Sequence, residues 1–262
     1  MMNLNFYKYQ GAGNDFVLID NRDDTITSID KEQVNLICDR RFGIGADGLM
    51  LLNAHADYDF EMKYYNADGN LGSMCGNGGR CIVAFAKHLG MIQHETTFLA
   101  VDGPHYAKIA DKGDWVNLQM IDVETITQIE DAYILNTGSP HYVILQSNLD
   151  SFDVYTAGKK IRNSAQFVSK GINVNFVEKR ADGYFVRTYE RGVEDETFAC
   201  GTGVTAVALA MAKLKNQLGE QTTKIKALGG ELEIKFSYDG EKFERVFLCG
   251  PAKAVFQGQF VI

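Results

Sequence analysis

Polar and apolar residues alternate along Asn3-Leu4-Asn5-Phe6-Tyr7, Phe60-Glu61-Met62-Lys63-Tyr64, Tyr184-Phe185-Val186-Arg187-Thr188-Tyr189 and Glu231-Leu232-Glu233-Ile234-Lys235-Phe236. Period two with Gly, Asp or Asn at the ends predicts half-buried strands. Asp182-Gly183 and Asp239-Gly240 sit between such runs and predict hairpin turns, hence antiparallel pairing rather than repeated parallel crossovers. Four helices are expected: Asp30 to Arg40 with Ser28 or Asp30 as cap, Gly78 to Leu89 stopping at Gly90, an amphipathic Tyr155 to Gln166, and Thr202 to Leu218 stopping at Gly219.

The second and fourth helices are apolar on most sides, which predicts burial, each wrapped by the strands of its own half. Both follow a cysteine and glycines: Met74-Cys75-Gly76-Asn77-Gly78-Gly79-Arg80 and, 125 residues later, Ala199-Cys200-Gly201-Thr202-Gly203-Val204-Thr205. The offset holds elsewhere. Gly13-Asn14-Asp15-Phe16 and Gly138-Ser139-Pro140-His141 each lie 61 residues before their cysteine, and Tyr65-Asn66-Ala67-Asp68 is matched by Tyr189-Glu190-Arg191-Gly192. Two divergent copies of one unit are expected.

Composition narrows the class. At 262 residues, with 45% hydrophobic and 23% charged residues, the chain is an ordinary globular protein with room for two domains. A net charge of −8 without a basic stripe argues against nucleic acid. The absence of a long apolar run or a secretory-type start predicts no membrane insertion or export. Five scattered cysteines, at 38, 75, 81, 200 and 249, fit reduced thiols in a cytoplasm better than a disulfide framework.

A helix start presents unpaired N–H groups and the positive end of the dipole, so a cysteine there is drawn toward thiolate and a carboxylate can sit beside it. Two such starts facing each other would hold one carboxylate and put a sulfur on each face of its α-carbon. That is what inverting a stereocentre needs: a base on one face, an acid on the other, and donors for the charge built up between.

Blander readings compete. A lone cysteine near a helix start is most often a small buried hydrophobe, and Cys38, Cys81 and Cys249 are read that way. No closely spaced ligand pair favours zinc, and no metal is expected. Neither Gly11-Ala12-Gly13 nor Gly43-Ile44-Gly45 completes a dinucleotide fingerprint. His141 could activate a cysteine for hydrolysis, or simply cap a turn, but a hydrolase leaves the second cysteine unexplained.

The runs Gly11-Ala12-Gly13-Asn14-Asp15-Phe16, Tyr65-Asn66-Ala67-Asp68-Gly69, Cys75-Gly76-Asn77-Gly78-Gly79-Arg80-Cys81, Tyr189-Glu190-Arg191-Gly192 and Ala199-Cys200-Gly201-Thr202-Gly203 closely resemble the diaminopimelate epimerase family. The wider superfamily, with proline racemases and phenazine isomerases, shares the fold but generally not this set. The resemblance implies an α+β fold of two similar domains, each a mostly antiparallel, barrel-like sheet around a central helix, with the site in the cleft between them. The expected boundaries are 1–118, with 250–262 returning to that domain, and 119–249. It also implies conversion of LL-2,6-diaminoheptanedioate to the meso form without metal, pyridoxal phosphate or other cofactor, for lysine and peptidoglycan precursors.

By position, Cys200 would take the proton from the LL substrate and Cys75 return one from the other face. Gly76, Asn77, Gly201 and Thr202 would bind the reacting carboxylate through backbone N–H. Asn14, Asn66, Asn173, Glu190 and Arg191 would hold the distal end, while His141 and Glu190 would tune the thiols. Two positions depart from the family: Gly48 stands where many relatives have Gln, and Ser139 where many have Asn. Both bear on distal contacts. The diaminopimelate substrate is the only partner expected, with a homodimer left open. A racemase of another amino acid, of histidine or proline type, and a non-catalytic amino-acid-binding protein are the alternatives.

Overall fold

The computed structural model describes residues 3–262; the first two residues of the expected first domain lie outside it. By packing, the chain divides into two compact units, residues up to Leu118 together with Gly250–Ile262, and Gln119–Cys249.

In the first unit β1 (Asn3–Gly11) and β2 (Asn14–Asp20) are antiparallel, α1 (Lys31–Cys38) carries the chain to β3 (Gly48–Asn53) parallel to β2, and β4 (Glu61–Asn66) returns antiparallel to β3. After α2 (Gly76–His88) come β5 (Glu95–Ala100), parallel to β4, then β6 (Gly103–Ile109) and β7 (Trp115–Gln119), each antiparallel to its predecessor. The last strand, β17 (Lys253–Val261), pairs antiparallel with β1.

The second unit repeats this order. Here β8 (Ile126–Ile129), β9 (Ala132–Asn136) and β10 (Pro140–Leu145) are successively antiparallel, α3 (Val154–Arg162) leads to β11 (Asn173–Arg180) parallel to β10, and β12 (Gly183–Glu190) returns antiparallel. The short β13 (Asp195–Thr197) precedes α4 (Gly201–Leu214); β14 (Gly219–Ala227) runs parallel to β12, and β15 (Gly230–Tyr238) and β16 (Phe243–Pro251) complete the antiparallel series. The fold is α+β, two similar barrel-like units. Both hairpin dipeptides fall where expected, but each unit also has two parallel pairings, one bridged by α1 or α3, since parallel neighbours need a crossover.

Register confirms the repeat. Phe16 lies opposite Gly48 and Leu18 opposite Met50 in the first unit; 125 residues on, His141 lies opposite Asn173 and Val143 opposite Asn175. In its own unit α2 packs on β1, β2, β3, β6 and β17, and α4 on β9, β10, β11, β12, β14 and β15, as a helix inside a curled sheet must. Ala206, Ala208, Ala210 and Ala212 are at most 1% exposed, small enough to admit strands on every side. The outer helices α1 and α3 cover separate apolar clusters, among them Val34, Ile37 and Leu49, and Val154, Val174 and Phe185.

Capping separates the two helix pairs. The Asp30 side chain accepts from the Gln33 N–H at 2.8 Å while Gln33 returns the bond to the Asp30 N–H at 3.0 Å, and Asp153 accepts from the Thr156 N–H at 3.0 Å. The buried helices α2 and α4 instead have Cys75 and Cys200 at the N-cap, neither supplying a side-chain cap, so both begin at Gly76 and Gly201, ahead of the expected Gly78 and Thr202. The expected end of α4 at Leu218 is also corrected. Asn216 takes the left-handed conformation (φ 51°) and ends the helix after Leu214, because asparagine tolerates a shape that other non-glycine residues resist. Likewise α3 stops at Arg162, where Asn163 turns its side chain back onto the Lys159 carbonyl at 2.9 Å. Among the described residues no helix is long and apolar enough to cross a membrane.

Candidate active site

Cys75 and Cys200 enter their helices with nearly the same extended backbone, φ −108° and ψ 120° against φ −100° and ψ 112°. With no cap side chain, each first turn directs its N–H groups and the positive end of its dipole beyond the helix, the arrangement that receives an anion. The first helical carbonyl of each is engaged alike: Arg80 Nη1 donates to the Gly76 carbonyl at 3.3 Å, and Thr205 Oγ1 to that of Gly201 at 2.9 Å.

The side chains around each sulfur differ. In the first unit Cys75 Sγ donates to Asn14 Oδ1 at 3.5 Å, and Asn77 Nδ2 lies 3.5 Å from the same oxygen. Asn14 is fixed in that orientation because its amide nitrogen donates to the Asp47 carboxylate, and Asn77 because its Oδ1 accepts from Arg80 Nη2 at 2.9 Å. Behind them Asp15 accepts from Arg40 at 2.7 Å and pairs with buried Lys8 at 2.8 Å. Burial would raise the Asp15 carboxyl, but the Arg40 and Lys8 bonds outweigh it and hold it well below the usual carboxylate range.

In the second unit Cys200 Sγ lies 3.4 Å from Thr202 Oγ1, and that hydroxyl is 2.9 Å from His141 Nε2. His141 is fully buried; desolvation pushes its imidazole down to about 3, and the Arg191 charge adds in the same direction, so the ring is neutral at physiological pH. Its Nδ1 meets Asn175 Nδ2 at 3.1 Å. Asn173 uses both amide hydrogens on Ser139 Oγ (2.9 Å) and the Pro140 carbonyl (3.1 Å), and its oxygen accepts from the Arg191 N–H at 2.9 Å. The Arg191 guanidinium reaches the Lys170 carbonyl at 3.2 Å and Ser139 Oγ at 3.4 Å, across Gly171, where a Cβ would stand 2.6 Å from Arg191 Cδ. Glu190 ends β12 and accepts from Thr197 Oγ1 at 2.9 Å.

Within the first unit Cys75, Gly76, Asn77 and Asn14 come together; within the second Cys200, Gly201, Thr202 and His141 do, with Asn173 and Arg191 joined through Ser139. Asn66 is exposed at the end of β4, its backbone N–H on the Asn70 carbonyl at 2.9 Å. Both departures have a local account. A Cβ at Gly48 would meet Tyr64 Cε2 at 2.4 Å and the Tyr65 carbonyl at 2.5 Å, so the Tyr64 ring fills the space a side chain would need. The single Ser139 hydroxyl accepts from both Asn173 and Arg191.

Asp47, Arg80 and Asn175 were not singled out from sequence. The available signal was polarity out of place: an arginine inside an apolar helix, and a second asparagine in the strand run Asn173-Val174-Asn175-Phe176, where asparagine is disfavoured. Cys38, Cys81 and Cys249 are buried, and burial pushes the Cys38 thiol up to about 11 and Cys81 up to about 12, which makes both poor thiolates. Among the described residues no group of three or more His, Cys, Asp or Glu is placed to hold a metal.

Comparison with known proteins identifies the family and the fold. The family model for diaminopimelate epimerase matches residues 6–126 and 133–255. A diaminopimelate epimerase of Flavobacterium psychrophilum is 50% identical over 256 residues, 97% of this chain and 99% of that one. One from Chlorobaculum tepidum is 41% identical over 260 residues, covering 96% and 99%. Among solved structures, a PhzF-family phenazine biosynthesis protein of Bacillus anthracis superposes with a TM-score of 0.79 over the full length of both chains at 13% identity. A hydroxyproline epimerase of Agrobacterium vitis, solved with trans-4-hydroxy-L-proline, gives 0.69 over 98% of this chain and 92% of that one, also at 13%. These two share the fold. With matches of this extent to the family model and to curated relatives, and with two matched cysteines at helix starts, the chain belongs to the diaminopimelate epimerase family.

Proposed function

We propose that the protein is an isomerase interconverting LL- and meso-2,6-diaminoheptanedioate by two-thiol acid/base catalysis. The observation that carries this reading is the pair of cysteines held in the same extended N-cap conformation before glycine-rich buried helices, at equivalent places of a repeated unit. Cys200 removes the α-proton of the LL isomer and Cys75 supplies one to the opposite face; the roles exchange in reverse. Backbone N–H groups at Gly76-Asn77 and Gly201-Thr202 receive the reacting carboxylate and the charge that grows on it as the proton leaves. Asn14, Asn66, Glu190 and Arg191 address the distal amino-carboxylate end, for which the planar Arg191 fork suits a carboxylate. Asn173 acts there by holding Ser139 and Arg191, and His141 and Glu190 tune the thiols.

The two units then serve as the two epimerase domains, 1–118 with 250–262, and 119–249. A cytoplasmic location, with thiols kept reduced, and a homodimer belong to the same reading; light scattering on the purified protein checks the second. The test of function is proton NMR with LL-diaminoheptanedioate in D2O under reductant. Loss of the α-proton signal with appearance of the meso isomer is expected. A reduced, folded protein that leaves the substrate untouched would sink the assignment and direct the same assay to other amino acids.

A further inference from the structure

The second unit carries a chain of polar side chains that its repeat partner lacks. At the positions of His141 and Asn175 the first unit has Phe16 and Met50, 125 residues earlier and at the same ladder register. Asn175 Nδ2 has two hydrogens: one meets the Tyr142 carbonyl at 3.1 Å, the other His141 Nδ1 at 3.1 Å, while Asn175 Oδ1 accepts from Thr188 Oγ1 at 2.9 Å. A backbone carbonyl only accepts, so it fixes which end of the carboxamide faces the ring. His141 Nδ1 is therefore the acceptor, and the single proton of the neutral ring sits on Nε2.

That proton points at Thr202 Oγ1, 2.9 Å away, leaving the hydroxyl's own hydrogen for Cys200 Sγ at 3.4 Å. A ring protonated at Nδ1 would do the opposite: Nε2 would take the Thr202 hydrogen, and the sulfur could engage the hydroxyl only as an S–H donor. We propose that Asn175 is a positioning residue for Cys200, fixing the Nε2–H tautomer of His141 so that Thr202 donates to the sulfur and favours its thiolate. At Cys75 the polarity is reversed, since Asn14 Oδ1 is an acceptor and favours the thiol. The free protein thus holds one base and one acid before substrate arrives.

The groups on the ring agree. Both hydrogen-bonding partners, Asn175 and Thr202, are neutral, and the charge of Arg191, just past β12, disfavours a second ring proton; Glu190, at the end of β12, accepts from Thr197, and Cys200 acts through Thr202. Helix α4 also makes room, because a Cβ at Gly203 would stand 2.5 Å from Asn175 Oδ1. This inference deepens the epimerase reading and rests on it for its consequence in turnover, but its test uses no substrate.

Two measurements on the full chain decide it. Nitrogen-15 NMR of the parent, with the His141 signals assigned by their loss in His141→Gln, should show a neutral Nε2–H ring that does not titrate between pH 5 and 9. A ring protonated at Nδ1, or one titrating near its ordinary value, overturns the proposal whatever any variant does. Alkylation by a small iodoacetamide reagent, resolved by site with mass spectrometry, should slow at Cys200 about tenfold at pH 7 in Asn175→Leu, a shift of about one pH unit in its profile. Cys75 should be unchanged. An unaltered Cys200 profile in a folded Asn175→Leu protein would equally overturn it. Either failure leaves the isomerase assignment standing, and absent turnover leaves both readouts valid.

Discussion

The two helix starts share backbone, glycines and position in the repeat, yet differ in what lies behind the cysteine. In the first unit the positions equivalent to His141 and Asn175 hold apolar Phe16 and Met50, and Cys75 takes its polar partner, Asn14, from the first residue of β2; Cys200 reaches His141 through Thr202, with Asn175 behind the ring. The repeat keeps the feature that needs backbone N–H groups and differs in its side chains, and on the proposed mechanism that difference separates an acid from a base.

Removing either sulfur should have the most severe effect. Cys75→Ala and Cys200→Ala should each lower interconversion about 10²- to 10⁴-fold, the scale of one general acid or base. Retained turnover in either variant, followed by the NMR assay, would show that its cysteine is not one of the pair.

The neutral His141 gives the next largest effect, and it belongs to the second unit only. Its folded value, about 3, lies below the ordinary 6.5, so as pH falls through 6.5 the unfolded chain takes up a proton that the buried ring refuses. Stability is full above that point and should fall toward pH 4 by about 1.4 kcal/mol per pH unit from this group. Denaturant melts at stepped pH should show a shallower fall in His141→Asn; identical slopes would mean the ring titrates normally.

Glycine substitution sharpens the contrast at smaller scale. A Cβ at Gly203 would press on Asn175 Oδ1, which Thr188 holds in place, whereas one at Gly78 would clash with the terminal methyl of Met50, at 2.1 Å, and stand in ordinary contact with Cys75 Cβ, at 3.5 Å. Gly203→Ala should cost about 1–3 kcal/mol in urea unfolding and Gly78→Ala less, because methionine rotates aside. The smallest effect is expected at Asp47→Ala, which frees the Asn14 carboxamide to turn. The substitution also removes the bonds from the Asp15 N–H and Arg40, but it is loss of the one to the Asn14 amide, about 0.5–1.5 kcal/mol, that should raise Cys75 alkylation by about three- to tenfold and leave Cys200 alone.

The larger features were legible along the chain. Strand alternation, the two Asp-Gly turns, the two apolar helices and the 125-residue offset are local or periodic signals, and they carried the duplicated α+β fold and both cysteines. Helix ends were less legible: the N-caps are cysteines that cap nothing, and Asn216 ends α4 before Gly219 is reached. Which polar groups meet, by contrast, depends on contacts between distant segments. Asn175 reaches His141, 34 residues away, and His141 reaches Thr202, a further 61, because a parallel pairing and a central helix bring three segments onto one ring. Spacing in sequence records the period of a strand or helix, but the direction of a hydrogen bond depends on which carbonyl stands beside an amide. That is fixed only when the barrel closes around its helix.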